Sequence, residues 1–250
     1  MKKAFTLLEL LVVIAIIATL TGLSMAAFSK VKIASARAIS VQSLNEMAVG
    51  GRAYLNDNDN AFWPYEQIVT GGAMWWFGFE ASTSLHMPEG TRTVDYSKGP
   101  LGPYASASSG IKTDPAFLQY GPRLKPKYQN GNFGYGYNTV LAPDTSGKPR
   151  SASQVANPSQ VILFATCAQV NTFQAPATAK NPMVEEFYQV NDTQTTAHFR
   201  HGHEALAAFL DGSVRNLSME EDMLPGSQDK RLLSANIGRF NTIYLKPDGW

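Results

Sequence analysis

The chain has a single cysteine, Cys167, and only 16% charged residues in 250. One thiol excludes an intrachain disulfide framework and a cysteine-built zinc site, so any core must be held by apolar burial. Net charge is missing too: 21 lysines and arginines face 20 acidic residues. No nucleic-acid partner is therefore expected from overall electrostatics.

What is present is hydrophobicity, at 44%, and it is unevenly placed. Residues 1–55 carry six basic and two acidic side chains, leaving fifteen basic against eighteen acidic in residues 56–250. A basic N-terminal part is thus joined to a mildly acidic remainder. Behind Met1-Lys2-Lys3-Ala4 runs FTLLELLVVIAIIATLTGLSMAAF, and residues 10–28 contain no charge. As a helix, 19 residues span about 28 Å, close to the ~30 Å hydrocarbon core of a bilayer. The segment reads as a membrane helix or as a signal peptide. A secretory signal would use Lys2 and Lys3 as its basic region and be cut after Ala26, releasing a soluble or surface-binding protein. Two features oppose that. The apolar run continues past Ala26, and Glu9 sits at its mouth, where an unpartnered carboxylate at membrane depth costs a few kcal/mol.

KKAFTLLELLVVIAIIA closely resembles the class III signal of bacterial type IV prepilins and type II secretion pseudopilins. The resemblance implies that prepilin peptidase cuts between Ala4 and Phe5 and that the new Phe5 amine is methylated. It implies that Glu9, at the fifth mature position, is an assembly residue that pairs with the Phe5 amine of a neighbouring subunit. It also implies an inner-membrane protein with a cytoplasmic N-terminus, other pilin or pseudopilin subunits as partners, and no cofactor or catalysis. Ala4 departs from the glycine usual before the cut. Glu9 also makes independent physical sense: a carboxylate one turn into a helix is favoured by the helix dipole. A neighbouring amine improves on that, because both charges are otherwise stranded in a low-dielectric bundle.

Past the apolar run, Val31, Ala34, Ala38, Val41, Leu44 and Ala48 recur at helical steps. Gly50-Gly51 should weaken the helix and NDNDN at residues 56–60 should end it, after about 50 residues, or ~75 Å. The oxygen-rich run also suggests calcium, but it lacks the glycine and distal glutamate of an EF-hand loop. Beyond it, Trp63, Trp75, Trp76, Phe77 and Phe79 read as aromatic anchors of surface loops, with a sugar platform as a weaker alternative. Strands are expected at residues 133–141, 161–168, 184–190, 205–210, 213–217 and 242–245. The expectation is an α+β, pilin-like chain: a leader at 1–4, a transmembrane or assembly helix at 5–28, an amphipathic helix at 29–55, and a globular domain at 56–250 built on an antiparallel sheet.

The sharpest internal signal is FRHGHEALAAFLDGSVRNL, residues 199–217. Asp211-Gly212 between two apolar runs predicts a two-residue type I′ hairpin. His201, nine residues ahead of Asp211-Gly212, gives an H-X9-DG pattern similar to one in a large group of pilin-like proteins. That group is matched also by Tyr54, Asn56, Asp57, Asn58, Phe62 and Pro64, and by YGYN at residues 135–138. The chain departs from it at Leu206, where asparagine is usual, and at Ser213, where histidine is usual. A metal-dependent enzyme would instead group His201, His203 and Asp211 as ligands or acid/base residues. Without one, Asp211 shapes its turn and His201 hydrogen-bonds nearby carbonyls.

Overall fold

A computed structural model of the chain describes residues 6–104, 113–129, 131, 134–220, 230–247 and 250, with Leu23, Ala26 and Ser29 described as backbone only. Its dominant element is α1 (Leu7–Asp57), a single helix of 51 residues. The residues 56–60 stop it as expected. Asn58 and Asn60 both donate their backbone N–H to the Leu55 carbonyl, at 3.2 and 2.8 Å. Asp59 and Asn60 take positive φ, which their short polar side chains tolerate. The run that suggested a cation loop is a helix stop.

Only the C-terminal part of α1 touches the head. Every described side chain from Thr6 to Ser35 is exposed, Phe28 at 76%, and Ser40 is the first buried one. From there Ser40, Ser43, Leu44, Met47, Ala48, Gly51 and Leu55 form one buried stripe at three- and four-residue steps. Val31, Ala34 and Ala38, expected on this stripe, are exposed: at about 100° per residue they lie roughly 80–140° around the helix from Leu44, off the face that meets the sheet. Gly50 and Gly51 leave the helix unbroken. Gly51 lets it sit low: a Cβ there would stand 3.0 Å from Leu163 Cδ2 and from Trp63 Cη2.

The head contains β1 (Glu66–Val69), β2 (Gly72–Trp75), β3 (Gly78–Ala81), β4 (Leu124–Lys125), β5 (Tyr135–Asn138), β6 (Ile162–Thr166), β7 (Gln169–Asn171), β8 (Met183–Glu185), β9 (Gln189–Val190), β10 (Ala197–His198), β11 (Glu204–Phe209), β12 (Val214–Ser218) and β13 (Ile237–Gly238). The main sheet runs β12-β11-β6-β5-β9, and α1 packs across β11 and β6. Side chains of β11 alternate between two cores, as a strand covered on both faces requires. Leu206 and Ala208 join Leu44, Met47, Ala48 and Leu55 of α1. Ala205, Ala207 and Phe209 face Phe199, Phe240 and Leu245 on the other side.

Three expectations are corrected. The sheet is mixed, not purely antiparallel, because β9 runs parallel to β5. The strand expected at residues 184–190 splits into β8, parallel to β4 in a separate sheet, and β9. Residues 242–245 are not a strand: Asn241 accepts a hydrogen bond from Ile243 N–H and turns Thr242–Tyr244 into a 3₁₀ helix. The aromatic cluster is also more central than a loop anchor. Trp63 stacks on Tyr137 at 5.0 Å, Trp76 donates to the Tyr188 carbonyl at 2.7 Å, and both indoles are fully buried. That burial removes Trp76 from any exposed sugar platform.

Gly51→Val should force α1 away from Leu163 and Trp63, at a cost of about 1–3 kcal/mol for overpacking a tight interface. The check is the thermal unfolding midpoint of detergent-solubilised protein followed by tryptophan emission, which should fall; an unchanged midpoint would mean that the helix does not sit this low.

Candidate functional site

At the N-terminal end the described chain begins with a capping box. Thr6 donates from both its backbone N–H and its Oγ1 to Glu9 Oε2, at 2.8 Å each, and Glu9 N–H donates back to Thr6 Oγ1 at 3.2 Å. In the single chain Glu9 therefore caps its own helix. Ala4 and Phe5 lie outside the described residues. Beyond the cap, Leu7, Leu8, Leu10, Leu11, Ile14, Ile17 and Leu20 are all more than half exposed. Among the described residues, no helix is long and apolar enough to cross a membrane.

The second candidate, the His201 to Gly212 segment, does not form one site. His201 and Asp211 flank β11, whose six residues rise about 20 Å. They cannot share a metal ion. Among the described residues no group of three or more His, Cys, Asp or Glu side chains could hold one. At the far end, Gly212 N–H donates to the Phe209 carbonyl at 2.9 Å and Phe209 N–H to the Ser213 carbonyl at 2.9 Å. Only Gly212 has positive φ, at 90°. The turn is a three-residue loop closed by a left-handed glycine and not the predicted type I′ pair. Asp211 shapes it as expected, Oδ1 accepting from Ser213 N–H at 2.8 Å and Oγ at 2.7 Å. The paired positive φ occurs instead at the near end, at Gly202 (70°) and His203 (67°), where His201 N–H donates to the Glu204 carbonyl at 3.0 Å.

What gathers around His201 is a buried knot that the sequence did not announce. Arg200 Nη2 donates to Asp114 Oδ2 at 2.6 Å and to the Gly134 carbonyl at 2.6 Å, with both ion-pair side chains fully buried. Gly134 has to be glycine, since φ is +63° and a Cβ would lie 2.9 Å from Arg200 Nη2. Asp114 Oδ1 accepts from Ser40 Oγ of α1 and from Ala116 N–H, each at 2.8 Å. Arg200 Nη1 donates to His198 Nδ1 at 2.9 Å, so His198 Nδ1 is an acceptor and its proton sits on Nε2, near the Ala235 carbonyl at 3.1 Å. His201 Nε2 lies 3.9 Å from Asp114 Oδ2 and has no hydrogen-bond partner among the described residues. The expected bonds from the imidazole to loop carbonyls are thus made by its neighbour, Arg200. Asp114 lies 86 residues from Arg200, and no local spacing links them. YGYN occupies β5, with Asn138 Nδ2 donating to the Ile162 and Leu245 carbonyls at 2.9 Å each. Leu206 and Ser213 fit this geometry: Leu206 is core, and Ser213 serves the Asp211 turn.

Residues 1–25 match the prokaryotic N-terminal methylation motif. The chain therefore carries a prepilin-like N-terminus, in keeping with the cap at Glu9 and the exposed apolar helix behind it. No match was found among curated proteins or among solved structures. The motif covers residues 1–25, which include the start of α1, and says nothing of the knot.

The knot is set for a neutral imidazole. Burial lowers His201, the Arg200 charge adds to it, and the opposing pull of Asp114 leaves the group at about 4. Burial and Arg200 likewise hold His198 well below the ordinary imidazole value. Burial alone would raise Asp114, but the charge and hydrogen bonds of Arg200, with Ser40, hold its carboxyl below the usual range. Between the ordinary imidazole value of 6.5 and about 4, the unfolded chain binds a proton at position 201 that the folded chain refuses. Stability therefore falls as pH falls through that window. Urea unfolding at pH 7 and pH 4.5 should show this loss, and His201→Gln should make it shallower; an equal slope in the variant would show that His201 is not buried neutral.

Proposed function

We propose that this chain is a non-catalytic prepilin-like subunit, cut before Phe5 by prepilin peptidase and methylated there. It is held in the bacterial inner membrane with its N-terminus in the cytoplasm and residues 56–250 outside. There it assembles with other pilin or pseudopilin subunits into a type II secretion pseudopilus or a type IV pilus-like structure. The observation that carries this is the free part of α1. A helix whose described side chains stay exposed from Thr6 to Ser35, many of them Leu, Ile and Val, cannot remain so in water. Residues 10–28 hold no charge, which suits lipid before assembly and the apolar sides of neighbouring helices after it.

Glu9 supplies the register. Alone it bonds Thr6; next to a neighbour it can offer its carboxylate to the Phe5 amine, exchanging a neutral hydroxyl partner for a charged one in a dry bundle. The head contributes presentation and no chemistry, since His201 and Asp211 lie at opposite ends of a strand.

Intact mass of the protein from native membranes should correspond to a chain starting at Phe5 with one added methyl group. A chain beginning at Ala27 would instead establish export and cleavage as a secretory protein. Glu9→Ala should leave cleavage and membrane insertion intact while subunits fail to enter polymers, as read by shear fractionation; normal polymer recovery would remove the register role.

A further inference from the structure

We infer that the segment from Arg200 to Gly212 is a splint that sets the direction in which α1 leaves the head. The helix is gripped by polar contacts at both ends of β11 and by apolar contacts between them. At the exit end, Ser40 Oγ donates to Asp114, which Arg200 holds in place. Beside it Arg37 Nη2 donates to Asn216 Oδ1 at 2.8 Å, and Asn216 donates in turn to Glu204, the first residue of β11. At the far end Arg52 Nη1 donates to the Asp211 carbonyl at 3.0 Å. Gly212 leaves room for it, since a Cβ there would stand 3.0 Å from Arg52 Nη1.

The spacing follows from these contacts. Ser40 and Arg52 are about 18 Å apart along a helix, and the strand between the two grips rises about 20 Å. Nine residues between the histidine and the Asp-Gly turn are thus the length of the helix seat, with one turn of the chain at each end. Apolar burial is non-directional and tolerates tilt. The close approach at Gly51 stops the helix from sliding, and a second fixed point is needed to stop it from swinging. Ser40, the first buried residue, provides that point where the free part begins. His201 acts as a positioning residue, its ring lying behind Asp114 while Arg200 makes the bonds.

Tilt is amplified by length. Residues 7–39 extend about 50 Å, so a swing of roughly 10° moves the tip by about 9 Å, a full interhelical spacing. The consequence for assembly rests on the function proposed above; the grip itself does not.

Spin labels at Ser35→Cys, beyond the exit, and Gln67→Cys, on the head, test this in the full chain in detergent micelles, where no polymer is needed. Both positions are exposed and Cys167 is buried, so labelling is selective. The parent should give one narrow distance distribution. Ser40→Ala and Arg52→Ala should each broaden it and together broaden it further, with tryptophan emission unchanged. Ser40→Ala combined with Arg52→Lys, which keeps the donor, should be narrower than the double alanine variant. An unchanged distribution in the double alanine variant overturns the splint, as does a lysine variant no narrower than it. Arg52 is exposed, so Arg52→Ala alone keeps the test open if the double variant unfolds, and an unchanged distribution there also counts against the splint. None of these outcomes depends on Glu9 or on polymer recovery.

Discussion

The structure depends on how closely α1 approaches β6. With hydrogen in place of a side chain at Gly51, the helix backbone comes within van der Waals reach of Leu163 and Trp63. Trp63 then stacks between that contact and the rings of Tyr137 and Phe164. A larger residue at position 51 would lift the helix off the sheet and separate the aromatic cluster from the leucine and methionine side chains of α1 that complete it. Gly51, which weakens an isolated helix, is here the condition for burying it, since tertiary packing outweighs the loss of about 1 kcal/mol in helix propensity.

From that contact the two halves of α1 acquire different physical fates. Residues 40–55 are dissolved in the head, while the earlier residues remain a free apolar rod with Lys30, Lys32 and Arg37 around its emergence. The rod carries an exposed apolar surface that the function proposed above assigns to lipid or to other helices. The fully buried Asp114–Arg200 pair lies at the point of emergence. Buried ion pairs are poor sources of stability but good sources of geometric definition, because a mispositioned partner leaves a desolvated charge unpaired. A second buried network, in which Arg92 pairs with Glu80 at 2.6 Å and Lys125 with Glu185 at 2.7 Å, is joined through Glu89, which pairs with both Arg92 and Lys125, and so ties the β1–β3 meander to the β4-β8-β7 sheet in the same way.

Much of this was legible in local pattern. The long N-terminal helix, the placing of Glu9 at its mouth, the stop at residues 56–60 and the cores of β6, β11 and β12 each depend on neighbours within one turn or one strand. The failures share a cause. Residues 242–245 have a strand-like composition, but the side chain of Asn241 competes for the backbone. Residues 184–190 read as one strand, yet the two ends of the segment pair in different sheets. Asp211-Gly212 marks the position of the turn and not its geometry, because one left-handed glycine serves a three-residue loop as well as a two-residue one.

By itself, then, the sequence determined a long helix with an apolar, prepilin-type beginning and a β-rich head, because hydrophobic periodicity, caps and turn residues act over a few positions. Only the tertiary structure decided where that helix becomes buried and what the histidine and Asp-Gly residues do. Three- and four-residue steps from Val31 to Leu44 read as one stripe, but they drift about 140° around the helix, and only the face that meets the sheet is buried. His201 and Asp211 read together as a site, but an extended strand between them sets them apart. The partners that give them meaning, Asp114, Ser40 and Arg52, are brought there only by folding.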